Sequence, residues 1–213
     1  MDKLAIFDVD FTITNKETLL EFFKFILKKD SKNIKYIQRV IVSGLLYGIK
    51  VYDEKKVKEA FLKFIDGINE KDLKDLVKSY YDERLTSILY KDAIDKIKEL
   101  KEMGYKIYLI SASPEFYLNE FYAIKEVDMI IGTRFHFNDG KFARKMLGAN
   151  CKGEEKVKRL MEVLKEKNIE VDFKNSLMFS DSLSDRPLLD LVGNGYLINY
   201  KKGHDKYEIL NWK

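Results

Sequence analysis

Leu4-Ala5-Ile6-Phe7-Asp8-Val9-Asp10-Phe11-Thr12-Ile13-Thr14 is an apolar run that ends in two aspartates. Leu4 to Phe7 are four consecutive apolar residues, the pattern of a strand buried on both faces. Strands of this kind belong to parallel sheets, and such sheets bind their ligands at the carboxyl ends of the strands. Asp8 and Asp10 stand at that end. Two neighbouring carboxylates repel each other unless a cation or a proton lies between them. The stretch therefore predicts a metal-assisted site.

Beyond Glu17 the pattern changes. Leu19, Leu20, Phe22, Phe23, Ile26 and Leu27 recur at helical spacing, as do Val57, Ala60, Phe61, Phe64 and Ile65, and Asp66-Gly67 closes the second segment. Gly44 and Gly48 interrupt or end a helix between them. Residues 15–86 read as a helical insertion, and Asp92 to Met103 as the helix that returns to the core. Strand and helix then alternate. Residues 106–113, KIYLISAS, form a second buried strand, ended by Ser111-Ala112-Ser113-Pro114, and residues 127–133, VDMIIGT, a third. Residues 134–144 alternate around Asn138-Asp139-Gly140, which predicts a small β-hairpin. Gly153 to Lys167 carries Val157, Leu160, Met161 and Leu164 on one helical face. Residues 175–181, NSLMFSD, give a fourth strand and residues 195–199, GYLIN, a fifth. The expected fold is α/β, a doubly wound parallel sheet with an inserted α-helical domain and a small hairpin. Its core spans residues 1–14 and 87–213.

The 213 residues hold 39 Lys+Arg against 35 Asp+Glu, a net charge of +4, and the basic residues are scattered rather than clustered. That balance argues against a nucleic-acid binder. Cys151 is the only cysteine, which excludes an intrachain disulfide and a cysteine-based zinc site. His136 and His204 lack metal-ligand spacing and have no partner for a nucleophilic triad. The apolar stretch Val40 to Ile49 is too short to span a bilayer. The amino terminus begins with a charged pair and a strand rather than a signal peptide. A cytoplasmic location is the expectation.

Three predicted strands end in polar groups: Asp8, Asp10 and Thr12; Ser111 and Ser113; Asp181, Ser182, Ser184 and Asp185. In a parallel sheet these ends share one edge, so the groups converge. FDVDFT (residues 7–12) resembles the first motif of the haloacid dehalogenase (HAD) superfamily, two aspartates one residue apart followed by a threonine. SAS (111–113) resembles its second motif, GEEKV (153–157) the lysine segment of its third, and SDSLSD (180–185) its acidic fourth. The helical insertion between motifs one and two is similar to the cap of the phosphoserine-phosphatase-like branch.

The resemblance implies a Rossmann-like core and a Mg²⁺-dependent phosphatase. Asp8 would attack phosphorus to give an aspartyl-phosphate, and Asp10 would act as general acid and then as base. Asp8, Asp181 and the Asp10 carbonyl would hold Mg²⁺, an all-oxygen set suited to a hard cation. Ser111, Ala112, Ser113 and Thr12 would bind the phosphoryl group, helped by the backbone N–H groups that follow Asp8. Asp185 and Ser182 would orient the metal site or the lysine. Lys156 and Lys152 compete for the motif-three lysine; Lys156 is favoured because it precedes valine and starts the amphipathic helix. Asp10 points to hydrolysis, since it can move the proton that turnover of the intermediate needs. Phe11 departs from the family pattern, which has a small residue there.

For substrate, Glu17 lies nine residues after Asp8, where phosphoserine phosphatases carry a glutamate for the substrate amine. Their cap arginine for the carboxylate aligns with Ala60, and neither Leu62 nor Lys63 replaces it. A small phosphorylated metabolite is therefore one substrate class. A lipid headgroup phosphate is another, suggested by Tyr36, Tyr47, Tyr52, Phe61 and Phe64 beside Val40 to Leu46. Phosphoserine hydrolysis, phosphotransfer to another acceptor and non-catalytic phospho-ligand binding are the alternatives.

Overall fold

The fold is seen in a computed structural model that describes residues 1–30, 35, 36, 42 and 53–213. Gly44, Gly48, Tyr47, Tyr52 and, apart from Val42, the stretch Val40–Ile49 lie outside the described residues. Strand β1 (Leu4–Phe7) is followed by helices α1 (Thr18–Lys29), α2 (Glu54–Phe61), α3 (Glu70–Glu83) and α4 (Lys91–Glu102). Then come β2 (Lys106–Pro114), the short helix α5 (Glu115–Leu118), β3 (Val127–Thr133), β4 (Phe135–Asn138) and β5 (Lys141–Met146). Helix α6 (Glu154–Glu166), β6 (Leu177–Ser180), α7 (Arg186–Leu191), β7 (Asn194–Ile198) and β8 (Glu208–Leu210) complete the order.

Six strands form one parallel sheet in the order β3-β2-β1-β6-β7-β8. β1 lies at its centre, which is why it reads as an unbroken apolar run: Leu4, Ala5, Ile6 and Phe7 are all fully buried. Their side chains alternate between the two faces. Ala5 and Phe7 join Ile107, Leu109 and Phe179 beside α4 and the helices that precede it. Leu4 and Ile6 join Tyr108, Ile110 and Met178 beneath Leu160, Leu164, Leu188 and Leu189 of α6 and α7. Both faces are covered, as a doubly wound fold requires. β2 covers the expected residues 106–113 and extends one further, to Pro114. The eighth strand has no counterpart in the sequence reading; it is three residues long, too short for alternation to register.

The hairpin turns at Asp139 and Gly140, both with positive φ (49° and 71°), the geometry of a two-residue type I′ turn. It does not stand free. Gly67 N–H donates to the Phe142 carbonyl and Phe142 N–H to the Ile68 carbonyl, each at 2.8 Å, and Glu70 N–H donates to the Gly140 carbonyl. The hairpin is thereby stitched to the segment between α2 and α3. Beside it, Phe22, Phe23, Phe61, Phe64, Tyr80 and Tyr117 form an aromatic cluster with centroids 4.9 to 6.1 Å apart. Phe61 and Phe64 thus belong to ring packing, which is worth about 0.5–1.5 kcal/mol per pair beyond burial.

Candidate active site

Register places the site. β1 pairs with β6 at Phe7 and Phe179, and with β2 at Phe7 and Leu109. Asp8 follows Phe7 directly, Asp181 follows the last residue of β6, and Ser111 lies two positions past Leu109 within β2, so all three stand at the carboxyl edge of the sheet. Asp8 is nearly buried, and its Oδ1 accepts a 2.8 Å hydrogen bond from Lys156 Nζ. The same ammonium donates to Asp185 Oδ2 at 2.6 Å, and Ser180 Oγ donates to that oxygen at 2.9 Å. Lys156 is 2% exposed, so its charge is tolerated only because two carboxylates flank it. Burial disfavours the ammonium, but Asp8 and Asp185 outweigh that and hold its pKa above the ordinary lysine value. Burial pushes Asp8 up against the pull of Lys156, and the charges of Asp185 and Asp10 add to the rise.

Lys156 reaches Asp8 because α6 begins one turn earlier at Gly153, whose φ of 57° and ψ of −127° form a conformation that suits glycine. Lys152 points elsewhere: its ammonium pairs with Glu54 of α2.

Asp10 is held at both oxygens. Thr18 N–H donates to Oδ1 and Ser113 Oγ donates to Oδ2, each at 2.7 Å. Thr18 opens α1 and Ser113 ends β2, so Asp10 sits where the inserted helices meet the sheet. The turn that carries it is tight. Thr12, Ile13 and Thr14 all direct their N–H groups at the Val9 carbonyl, and Phe11 has a φ of 56°. That φ is a left-handed backbone conformation that bulky residues seldom adopt. Phe11 is 44% exposed and lines a surface cavity with Tyr90, Asp181 and Tyr200.

The remaining predicted residues take defined places. Thr12 is buried and accepts the Asp181 N–H at 2.9 Å, which ties the ends of β1 and β6 together. Ser111 Oγ accepts from Ser113 N–H, and Ser182 Oγ from Ser184 N–H. Glu17 caps α1 through the Leu20 N–H. Burial, then the Asp10 charge, raises its pKa to about 7. Asp181 is raised to about 6, by burial and then by Asp185. The Ala112 carbonyl accepts from Thr133 Oγ1 at 2.6 Å and from Lys58 Nζ at 2.7 Å.

Lys58 was not among the expected residues. It lies on α2 one half-turn before Ala60, and burial lowers its pKa to about 8 against the pull of Asp10 and Glu17. Its side chain reaches the sheet edge from a helix whose orientation is set by distant packing, so local sequence offers no signal for it. Leu62 is buried in the core and Lys63 pairs with Asp66.

The donor set for a divalent ion is limited and suitable. Among the described residues, no three Asp, Glu, His or Cys side chains cluster around one point. The available oxygens are the Asp8 and Asp181 carboxylates and the Asp10 carbonyl, all hard donors. Both carboxylates are pushed toward the protonated form, the condition that a nearby cation relieves.

Comparison with known proteins shows the family and the fold. A family model for haloacid dehalogenase-like hydrolases matches residues 5–190. Protein CicA of Caulobacter vibrioides is 26% identical over 200 residues, spanning 92% of this chain and 86% of CicA. A Mycobacterium tuberculosis protein named as a probable phosphatase is 22% identical over 202 residues, 93% of this chain and 69% of that one. Among solved structures, a Bordetella pertussis protein of unknown function superposes with a TM-score of 0.87 at 18% identity, over 99% of this chain and 98% of its own. A substrate-bound phosphoserine phosphatase gives a TM-score of 0.64 at 17% identity, over 94% and 88%. At these identities the structural matches speak for the fold.

Proposed function

Because the chain belongs to the haloacid dehalogenase-like hydrolase family, we propose that it is a Mg²⁺-dependent phosphomonoester hydrolase that works through an aspartyl-phosphate on Asp8. Residues 15–86 form the cap in this reading, and residues 1–14 with 87–213 the catalytic core. The observation that carries the proposal is the fixing of Asp10 at both oxygens, by Thr18 N–H and Ser113 Oγ, beside a nucleophile candidate already bonded to Lys156. A site that only bound phosphate would have no need of a second carboxylate there, since it repels the ligand.

Asp8 Oδ1 is engaged by Lys156, so Oδ2 is the atom that attacks phosphorus as the ester oxygen departs. Asp10 gives that oxygen its proton. It then takes a proton from water, which attacks the aspartyl-phosphate and returns the Asp8 carboxylate with free phosphate. Lys156 holds Asp8 in line, and Asp185 with Ser180 holds Lys156. Ser111, Ser113 and the amides that follow Asp8 line the phosphoryl side. Thr12 fixes Asp181. Asp8, Asp181 and the Asp10 carbonyl would hold Mg²⁺, whose positive charge would offset repulsion between an anionic nucleophile and an anionic ester.

The test is hydrolysis of p-nitrophenyl phosphate with and without EDTA, in the wild type and in Asp8→Asn. Activity that needs Mg²⁺ and disappears in the variant supports the reading; activity that survives both changes overturns it. Product analysis with added alcohols separates hydrolysis from phosphotransfer. Phosphoserine is a less favoured substrate, because Lys58 is already bonded to Ala112 and Asn150 and no arginine stands at the cap position for its carboxylate.

A further inference from the structure

A cavity of 360 Å³ lies between the start of α1, helix α2 and the Ser111–Ser113 end of β2, lined in part by Glu17, Leu20, Val57, Lys58, Phe61 and Ala112. Its place in the fold gives it a role. Glu17 immediately precedes Thr18, whose N–H holds Asp10 Oδ1. Ala112 lies between Ser111 and Ser113 of β2, and Ser113 holds Asp10 Oδ2. The cavity thus borders the two segments that hold the carboxyl group which, in the reading above, protonates the departing alcohol. The leaving group has to lie on that side of the phosphorus.

Its walls are mostly apolar, and its polar groups are largely occupied. Lys58 has three protons; one goes to the Ala112 carbonyl and one to Asn150 Oδ1, both at 2.7 Å. Asn150 Oδ1 also accepts from Thr133, and its amide donates to Glu54. Glu17 is bonded to the Leu20 N–H. Glu54 and Lys152, which also line the cavity, pair with each other. Among the described residues, one Lys58 proton and the outer face of Glu17 are the groups beside Leu20, Val57 and Phe61 that a ligand can reach. A zwitterionic amino-acid leaving group has an ammonium and a carboxylate to satisfy, and burying either without partners is costly. An alkyl chain or aryl ring asks nothing polar of Leu20, Val57 and Phe61.

We propose that this cavity selects phosphomonoesters with an apolar alkyl or aryl leaving group that carries at most one hydrogen-bond acceptor, received by Lys58. The inference rests on the phosphatase reading for the direction of the leaving group. The apolar chain can come from a soluble ester or from a lipid.

The experiment measures kcat/KM for ethyl, butyl and hexyl phosphate against O-phosphoserine and glycerol 3-phosphate. The expected gain is about fourfold per added methylene until the cavity is filled, with the polar esters below butyl phosphate. Val57→Asp flattens the series by placing a charge on the apolar wall. Dodecyl phosphate in detergent micelles, turned over faster or slower than hexyl phosphate, assigns the chain to a lipid or to a soluble ester. A flat wild-type series, or phosphoserine ahead of butyl phosphate, overturns the proposal. Calorimetric binding of the matching alkylphosphonates to Asp8→Asn keeps the two readings apart. Tighter binding with chain length, combined with a wild type that hydrolyses none of the esters, supports the cavity and sinks the phosphatase. Brisk Mg²⁺-dependent turnover with no chain-length dependence in either assay does the reverse.

Discussion

Two sets of paired charge in this molecule make an instructive contrast. At the carboxyl edge of the sheet, Asp8 and Asp185 share one ammonium, Lys156, with Asp10 and Asp181 close by. At the seam between α2 and the hairpin, Glu59 bonds Lys145 and the Met146 N–H, while Asp66 bonds Lys63, Arg144 and the Arg144 N–H. Asp8 and Glu59 are both buried while Asp66 is exposed, yet the carboxylates of the two places respond in opposite directions. Burial raises Asp8 and Asp181 and is not fully offset. Burial would raise Glu59 and Asp66 too, but their lysine partners and backbone donors outweigh it and lower both. Seam charges are matched within the fold; those at the sheet edge are left in excess, as suits a site that takes a cation and a phosphate. The comparison predicts that changes at the edge act on rate and changes at the seam act on stability.

The largest expected effect is at Asp8. Asp8→Asn removes the nucleophile and lowers kcat by at least about 10⁴-fold. Because it also removes one charge from an excess, Tm should not fall; a clear drop in Tm would break the contrast. Asp10→Asn follows, with a loss of about 10²- to 10⁴-fold. Its signature is qualitative: with p-nitrophenyl phosphate, whose leaving group departs without an acid, quench experiments should find phosphorylated enzyme accumulating, since the base for the second step is gone. Lys156→Met comes next and is the exception that sharpens the rule. It leaves Asp8 and Asp185 buried without their cation, which costs about 3–5 kcal/mol. Chemical denaturation should show that loss together with the loss of activity.

These residues were legible in the sequence because each sits within a few positions of a strand end or helix start. Leu4 to Phe7 announces a central strand, and the aspartates after it inherit their position from the sheet. Lys156 could be chosen over Lys152 because α6 begins just before it. What was hidden is non-local. Lys58 is one lysine among many on an amphipathic helix until α2 is oriented against Ala112 and Asn150. Thr12 sits at a motif position, but only the neighbouring strand shows that its hydroxyl accepts from Asp181. The hairpin was visible from Asp139-Gly140, whereas its attachment joins Asp66 to Arg144, 78 positions apart. The alternation of a hairpin says which face is apolar and nothing about what covers it.

The seam supplies the smaller effects. Glu59→Ala removes the acceptor of the buried Met146 N–H and both its hydrogen bonds, a cost of about 1–3 kcal/mol. Alkyl phosphate turnover by the folded variant should stay near the wild-type level, and a rate loss on the scale of Asp10→Asn would mean that seam and site are one cooperative unit. Glu59→Gln is gentler, since its amide oxygen still accepts from Met146 while only the charge facing Lys145 is lost. That pair is partly exposed, so the change should stay at or below about 1 kcal/mol. It also has a pH signature. The folded-state pKa of Glu59 lies below the ordinary glutamate value of 4.5, so the unfolded chain binds the proton first as pH falls. The stabilisation is fully present above that value and is lost as pH drops through the folded pKa. The difference in Tm between wild type and Glu59→Gln should therefore be constant from pH 7 to about pH 5.5 and shrink as the pH falls below 4.5. A difference that grew on acidification would mean that Glu59 is held protonated, as an unmatched carboxylate would be.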